Sequence, residues 1–274
     1  MTDIVNFFLD HGATLTATAA WIALVQPWCL VVWKRFFRSG QIDIYPTGTI
    51  EIGYSSFGPT VALVGTLKAS HRDFFVPRIR LTLVKEKDHS QHDFEWCVFR
   101  SHKMSVGKEL EIALELPYSF MVMQSQPHRY NILFYDQVRL EEIRPIFTSF
   151  REAWYQHRGH PSHISEDDRT AYASFNTVQA HVSAYTALDR LFYWEPGAYR
   201  LCMMVETENG KVFVKHWSFM LSPEEEKNLR YNPLILEQEI CDQKDIKYTF
   251  AYPRYQTASS KSATTLLPQQ AKPS

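Results

Sequence analysis

The chain contains 274 residues with a mass of 32.0 kDa, and its 29 basic and 30 acidic side chains give a formal net charge of -1. Its 45% hydrophobic and 14% aromatic content is typical of a globular protein and excludes a disordered chain, a collagen-like repeat and a disulfide-stapled scaffold. The balanced charge argues against a nucleic-acid-binding protein, because such proteins usually carry a basic excess.

The strongest signal in the chain is an uncharged segment that starts at Ala13 and ends at Trp33. Sixteen of its twenty-one positions are apolar or aromatic. As a helix with a rise of about 1.5 Å per residue it is about 30 Å long, the thickness of the hydrocarbon core of a bilayer. Gln26 is costly at this depth and Pro27 kinks the helix, so the span is marginal. The segment predicts one membrane-spanning helix within an N-terminal anchor, residues 1–38.

The charges that flank this segment bear on its identity and its orientation. Only Asp3 and Asp10 precede it, whereas Lys34, Arg35 and Arg38 follow it. A cleaved signal peptide has the opposite arrangement, with basic residues first, and is therefore disfavoured. A helix that lies in the headgroup layer or packs inside the protein stays open as an alternative. Because basic flanks are retained in the cytoplasm, the sequence predicts a single-pass protein whose C-terminal domain is cytoplasmic.

From residue 39 onward, apolar residues alternate with polar ones, which is the period of half-buried strands. Turn residues such as Pro46 to Gly48 and the pair Gly58-Pro59 separate these runs. The predicted strands are residues 42–45, 49–52, 61–69, 78–83, 94–99, 109–116 and 130–135. Short strands at this spacing favour an antiparallel β-sandwich domain over residues 39–255.

The period changes to that of a helix at about residues 140–190. Ile143, Phe150 and Trp154 share one face of a first helix, and a second apolar stripe runs from Tyr172 to Leu188. The sequence therefore predicts a two-helix insert in a mainly β domain, which places the chain in the α+β class.

Strand signals return after the insert. Pro196-Gly197-Ala198-Tyr199 leads into an extended run, and Asn209-Gly210 is the strongest hairpin signal in the chain because both of its residues accept a positive φ. This pattern resembles the closing strands of immunoglobulin-like sandwiches over about thirty residues, and the resemblance implies an immunoglobulin-like arrangement of the β-sandwich.

The C-terminal part carries weaker signals. Pro223 and the acidic residues after it predict a short helix. Residues 234–240 and 246–252 are predicted as two last strands. Residues 256–274 are rich in Ser, Thr, Gln and Pro and predict a disordered tail.

One cluster of histidines has the residue types of a metal site. His157, His160 and His163 are spaced by two intervening residues, and imidazole nitrogens bind zinc or copper. Gly159 and Pro161 interrupt the stretch, so it cannot hold three rings on one helical face. We therefore expect a solvated loop between the helices, with no metal and no cofactor.

Signatures of catalysis are missing from the sequence. It contains no GxSxG nucleophile elbow, HExxH zinc motif, Walker loop or GxGxxG dinucleotide motif. Cys97 alternates within a predicted strand and reads as a small core residue. The sequence thus favours a protein without catalytic activity, although many enzymes lack a recognisable short motif.

Polar turns that contain aromatic rings are the remaining candidates for a binding surface, since loops at the end of a sandwich commonly bind partners. The interpretation that we favour is that these rings only fill the ends of the sandwich, and binding is the alternative. The candidate binding residues are Tyr54, Phe57, Phe74, Phe75, Arg129 and Tyr130.

Taken together, these features predict a membrane-tethered, non-catalytic binding or adaptor module. Its expected partners are the lipid bilayer, through the segment from Ala13 to Trp33, and another protein, but not nucleic acid. Two alternatives stay open. One is a hydrolase or metal-dependent enzyme with a site between the sandwich and the helical insert, and the other is a structural subunit of a membrane complex.

Overall fold

The chain is described by a computed structural model over residues 21–29, 31, 40–103, 111–158, 168–175, 178–241 and 247–257. Within these residues it is mainly antiparallel β-structure with several helices, which confirms the α+β class. Nine of the eleven strands described belong to a single curled sheet, and the other two pair with each other.

The elements follow the chain in this order. The strands before the main helices are β1 (Gln41–Ser55), β2 (Gly58–Ser70), β3 (Phe74–Val76), β4 (Arg78–Lys85), β5 (Gln91–Lys103), β6 (Glu111–Glu115), β7 (Phe120–Val122) and β8 (His128–Asp136). The later strands are β9 (Gly197–Glu206), β10 (Val212–Leu221) and β11 (Tyr255–Thr257). The helices are α1 (residues 21–29 and 31), α2 (Gln137–Arg158), α3 (Asp168–Phe175), α4 (Gln179–Leu191), α5 (Pro223–Leu229) and α6 (Asn232–Ile240).

The large sheet has the strand order β1-β2-β8-β5-β4-β9-β10-β11, with β6 added beside β5. The sheet curls until its first and last strands approach each other. The N–H of Ile52 in β1 donates to the carbonyl of Ala251 at 2.8 Å, and the N–H of Ala251 donates back at 2.9 Å. A second bridge joins Thr49 and Arg254. These ladders form one curled sheet, and they do not by themselves confirm the finer prediction of an immunoglobulin-like sandwich.

The concave side of the sheet encloses the main core. In β9 the buried residues alternate along the strand, and Tyr199, Leu201, Met203 and Val205 are each no more than 1% exposed. This alternation is the predicted period of a half-buried strand. Trp194 and Trp217 are also fully buried and add two of the largest side chains to this core.

The first strands differ from the prediction of two short strands divided by a turn at Pro46 to Gly48. The chain instead continues through these residues as one long strand, β1, whose register with β2 shifts between Pro46 and Ile50. Opposite this shift, a Cβ on Gly65 would lie 2.5 Å from the carbonyl oxygen of Tyr45. Glycine at this position therefore permits a close approach of β1 and β2. Pairing with β2 keeps residues 46–48 extended, so they do not form a local turn.

The predicted hairpin at Asn209-Gly210 is confirmed as the connection of β9 to β10, but only Gly210, at a φ of 75°, has the positive φ that was expected of both residues. The helical region holds three described helices, α2, α3 and α4, instead of the two predicted. Residues 256 and 257, predicted to begin the disordered tail, belong to β11. The rest of the tail lies outside the described residues.

The predicted strand at residues 234–240 is wrong, because these residues form helix α6. Asn232 and Pro233 occupy its first turn, where proline fits because its missing N–H has no helical partner. Leu236, Glu237 and Ile240 are buried at helical spacing. The apolar run was too short for its period alone to separate a helix from a strand.

The predicted N-terminal anchor is described only in part. Residues 21–29 and Val31 are helical, and the other residues of the anchor lie outside the described part of the chain. Among the helices that the structure describes, none is long and apolar enough to cross a membrane. The membrane-spanning helix therefore stays a prediction.

Candidate functional site

Two of the aromatic residues predicted to bind a partner lie deep in the main core. The Tyr54 side chain is 0% exposed and packs against Phe192, with ring centroids 5.6 Å apart. Tyr130 is 2% exposed, and burial raises the pKa of both phenols above their usual range. Both rings fill the interior of the domain. They therefore have a packing role, which was one of the two interpretations of these aromatic residues in the sequence.

The other candidates are separated along the sheet. Phe74 is 2% exposed and contacts Phe213 at 5.2 Å, and its neighbour Phe75 is half-buried. Phe57 is half-buried in the turn after β1, at 6.5 Å from Tyr135. A Cβ on Gly40 would lie 2.6 Å from the ring of Phe74, so Phe74 lies beside the start of β1. Phe57 follows the other end of the same strand.

The last predicted binding residue, Arg129, is exposed on β8 and pairs in register with Thr66. Its neighbour Tyr130 points into the core instead. The structure thus does not bring the six predicted residues to one surface. Binding through the exposed or half-buried members, Phe57, Phe75 and Arg129, stays a prediction.

The predicted histidine cluster is described only at its first member. His157 Nε2 lies 2.8 Å from Ser174 Oγ, and its ring packs 5.3 Å from Phe175. His160 and His163 lie outside the described residues. Within the part of the chain that the structure describes, no three His, Cys, Asp or Glu side chains are grouped so that they could hold a metal ion.

A second, smaller core lies among the helices, and we call it the helical core. Each of its members is at least nine-tenths buried, and they come from α2, α3, α4 and the end of α6. They are Phe150, Trp154, Phe175, Ala184, Ile240 and Cys241. Phe175 lies at its centre, with ring centroids 5.4 Å from Phe150 and 5.3 Å from Trp154.

A buried pair of ionisable side chains lies against this core. Glu237 of α6 is 0% exposed, and its Oε2 is 3.0 Å from Nε2 of His181 in α4. Burial raises the pKa of Glu237 to about 8 and lowers the pKa of His181 below its usual value. Both shifts favour uncharged side chains, because removing either charge from water is costly. The pair therefore connects α4 and α6 through a contact that depends on protonation.

The helical core also contains a buried donor without a hydrogen-bond partner among the described residues. Trp154 is 0% exposed, and its indole Nε1 has no hydrogen-bond partner among the residues described. Tyr172 lies beside it at a centroid distance of 6.3 Å, and burial together with the nearby Cys241 and Glu237 raises the pKa of Tyr172 to about 12. The helical core thus contains buried polar groups among its aromatic rings.

A surface groove borders this polar interior. It has a volume of about 350 Å³ and runs between α2 and α4. Its lining residues are Pro145, Ile146, Ser149, Phe150, Ala180, Ser183, Ala184 and Ala187. None of these is charged, and Phe150 and Ala184 belong to the helical core. His181 lies within one turn of Ala180 and Ala184, so a molecule in this α2–α4 groove would contact the helix that carries the buried pair.

Another buried carboxylate connects the sheet to the helices. Asp136 is 2% exposed, and its Oδ1 accepts the backbone N–H of Arg139 at 3.0 Å, so it caps the start of α2. Its Oδ2 is 3.4 Å from Nδ1 of His92, and the His92 ring stacks on Tyr193 at 3.8 Å. A carboxylate that orients an imidazole also occurs in hydrolases. Here the described contacts give the pair a structural role at the end of β8.

Sequence reasoning missed both buried carboxylates. Asp136 directly precedes an amphipathic helix, and this position is a recognised N-cap signal that could have been found. Glu237 follows the apolar residues 234–236, but Gln238 and Glu239 come directly after it, so its burial has no clear signal in the sequence. His181 gave no signal, because its partner is 56 positions away in the chain.

The described part of the N-terminal anchor has an uncovered apolar surface. In α1 the exposed fractions are 70% for Trp21, 68% for Leu24 and 71% for Trp28. Ile22 and Val31 are more than half exposed as well. Large apolar side chains in such a run are normally covered by other apolar groups.

No family model matches this chain, and no curated protein matches its sequence.

Proposed function

We propose that this protein is a membrane-tethered binding or adaptor module. The N-terminal anchor holds it in a bilayer, and the curled sheet with its helices is the part that contacts a partner. The observation that carries the proposal is the apolar surface of α1, which none of the other described residues covers.

The physical argument concerns the cost of leaving α1 in water. Trp21, Leu24 and Trp28 each keep about seven-tenths of their surface exposed. Burying one large apolar side chain contributes about 1.5–3 kcal/mol, so several together favour an apolar environment strongly. The uncharged segment that contains α1 is long enough for the hydrocarbon core of a bilayer to provide that environment.

The orientation follows from the basic flank. Lys34, Arg35 and Arg38 come directly after the uncharged segment, so the domain that follows is proposed to be cytoplasmic. The immunoglobulin-like arrangement also belongs to this proposal. It is supported by the antiparallel hairpin of β9 and β10, and such domains commonly serve as binding modules.

We assign the partner contact to the α2–α4 groove. Its lining is uncharged, and small residues recur along α4 at Ala180, Ser183, Ala184 and Ala187. Small side chains at this spacing let another helix approach closely, and an apolar helix of a partner protein fits such a groove. The hydrolase and structural-subunit alternatives stay predictions.

Extraction from membranes tests the anchor. A variant with Trp21→Asp, Leu24→Asp and Trp28→Asp is compared with a control that carries three aspartates at exposed apolar positions of the domain, Leu116, Val138 and Met220. We expect the native protein and the control to remain in the membrane pellet after alkaline carbonate, and the α1 variant to be released. Release of the native protein would contradict the proposal.

Filling the α2–α4 groove tests the partner contact. Ala187→Trp places an indole in the groove, and Met220→Trp adds the same side chain at an exposed position on β10. We expect a protein that co-purifies from detergent-solubilised membranes to be lost with Ala187→Trp and retained with Met220→Trp. Equal recovery with both variants would remove the groove from the proposal.

A further inference from the structure

The chain enters the sheet at one particular end of the domain. Gly40 directly precedes β1, and a Cβ placed on it would lie 2.5 Å from Cγ of Arg72 and 2.6 Å from the ring of Phe74. The point at which the N-terminal anchor joins the domain is therefore packed against the turn between β2 and β3 and against β3 itself.

Two further segments meet at this end. Strand β7 pairs with β3, and Phe74 lies opposite Val122. The hairpin between β9 and β10 reaches the same place, because the N–H of Glu208 donates to the carbonyl of Phe75 at 3.2 Å. The rings of Phe74 and Phe213 are 5.2 Å apart. The start of β1, the β3–β7 pair and the β9–β10 hairpin thus form one continuous end of the molecule.

This end carries exposed apolar side chains together with basic ones. Met121 and Met123 are 43% and 46% exposed, and Val212 and Val214 are 49% and 42% exposed. A surface pocket of about 400 Å³ separates the start of β1 from the start of β10. We call the following set the proximal rim: Arg72, Met121, Met123, Lys211, Val212 and Val214.

Acidic side chains are present beside the proximal rim as well. Asp73 is exposed and accepts the backbone N–H of Gln124 at 2.6 Å, and Glu208 is exposed in the hairpin. Arg72 and Lys211 roughly balance these two charges. Attraction to anionic lipid therefore depends largely on Lys34, Arg35 and Arg38 of the anchor, and the rim itself contributes mainly apolar contact.

The length of the connecting chain limits how far this end can be from the membrane. Six residues lie between Trp33, the end of the uncharged segment, and Gly40, so seven chain steps join the two. At about 3.3–3.6 Å per residue, a fully extended chain of this length reaches about 25 Å. The proximal rim is therefore always within reach of the bilayer surface that holds the anchor.

We propose that the proximal rim is a lipid-contact surface that docks the domain onto the bilayer in which α1 is anchored. This inference rests on the proposed function. Met121, Met123, Val212 and Val214 enter the headgroup layer, and Arg72 and Lys211 contact lipid phosphates. Docking at this end fixes the orientation of the domain and leaves the other end of β10 and the α2–α4 groove directed away from the lipid.

The test places an environment-sensitive fluorophore on the full-length protein in vesicles of phosphatidylcholine, with and without phosphatidylserine. Val212→Cys and Met121→Cys carry the label in a chain whose Cys29 is replaced by Ser, and Met220→Cys, at the far end of β10, is the matched control. We expect a blue shift and quenching by spin-labelled lipid at positions 212 and 121, and neither effect at position 220. Denaturation curves of all three variants check that the domain remains folded.

Each outcome separates the inference from the proposed function. The protein could resist carbonate extraction while the labels at positions 212 and 220 are both unquenched by lipid. That result would support the anchor and contradict the lipid-contact surface. A blue shift without lipid quenching would instead mean that a second copy of this chain covers the rim, and would also overturn the inference. Release by carbonate would overturn the proposed function itself. A variant with Arg72→Glu and Lys211→Glu is expected to reduce the quenching while carbonate resistance is retained.

Discussion

Glu237 and His181 approach each other to 3.0 Å inside the helical core, and burial moves their pKa values in opposite directions. The pKa of Glu237 rises from 4.5 to about 8 on folding. The folded state therefore binds more protons between these values, and stability falls as the pH rises through this window. The pKa of His181 is lowered on folding, so stability also falls as the pH drops below about 6.5. Below about pH 6.5 the two effects oppose each other, and above it only the effect of Glu237 remains, so the pair predicts that stability falls from mildly acidic pH toward pH 8.

Replacing Glu237 with Gln removes the contribution of this carboxyl group to the pH dependence of stability. Gln keeps the shape of the side chain but does not titrate, so we expect the loss of stability above about pH 6 to be reduced. One proton changes the free energy of unfolding by at most about 1.4 kcal/mol for each pH unit, which sets the largest difference in slope. Urea unfolding at several pH values measures it. Exposed Glu152→Gln on α2 is the control, and equal slopes for Glu237→Gln and the native protein would contradict the assignment.

Asp136 holds the start of α2, so its removal is expected to destabilise the helices. Asp136→Ala loses the cap on the N–H of Arg139 and the contact with His92. Loss of a helix cap costs about 0.5–2 kcal/mol, and the uncovered buried groups add to that cost. Asp136→Asn keeps an oxygen that can accept the same N–H, so a smaller loss is expected. Chemical denaturation compares the two, and unchanged stability in Asp136→Ala would show that the cap is unimportant.

At the scale of elements, α6 connects the helices to the closure of the sheet. Asn232 is 0% exposed, donates to the carbonyl of Thr249 at 2.7 Å and accepts the N–H of Thr249 at 2.9 Å. Two residues further on, Ala251 makes its pair of hydrogen bonds to Ile52 in β1. The side chain of Asn232 thus positions the segment that joins the two ends of the curled sheet.

Asn232→Ala is expected to loosen this closure. It leaves both backbone groups of Thr249 without their partner, so the amides of Ile52 and Ala251 should exchange with solvent faster. Hydrogen exchange followed by mass spectrometry measures this change. Asn228→Ala, at an exposed position of α5, is the matched control. Unchanged exchange at both amides in Asn232→Ala would show that the segment is held by other contacts.

The elements also show which features are readable from sequence. The Asn209-Gly210 hairpin was predicted because its turn geometry is a local property of two residues. The continuity of β1 was not predicted, because Pro46 to Gly48 have turn residues and only the pairing with β2 keeps them extended. Helix α6 was missed because an apolar run of this length fits both the period of a helix and that of a strand.

At the scale of the whole molecule, the α+β class was predictable, since alternation and helical periodicity are averages over many residues. The candidate site was not, because it depends on contacts between distant parts of the chain. His181 meets Glu237, and Asp136 meets His92, only once the strands and helices have packed. The predicted aromatic residues failed to share a surface for the same reason, since Tyr54 and Phe74 lie near opposite ends of β1.

The proposed function requires α1 to lie in a bilayer, and the reactivity of the Cys29 thiol reports on that directly. Cys29 is exposed on α1, whereas burial raises the pKa of the Cys97 thiol and raises that of Cys202 to about 11, which slows their reaction with maleimides. A thiol in hydrocarbon also reacts slowly, because maleimides require the thiolate. The full-length protein is treated with membrane-permeant N-ethylmaleimide in intact membranes and again after detergent, with Cys29→Ser as the control. We expect Cys29 to be protected in membranes and modified rapidly in detergent, and equally rapid modification in both would contradict insertion of α1 into the bilayer.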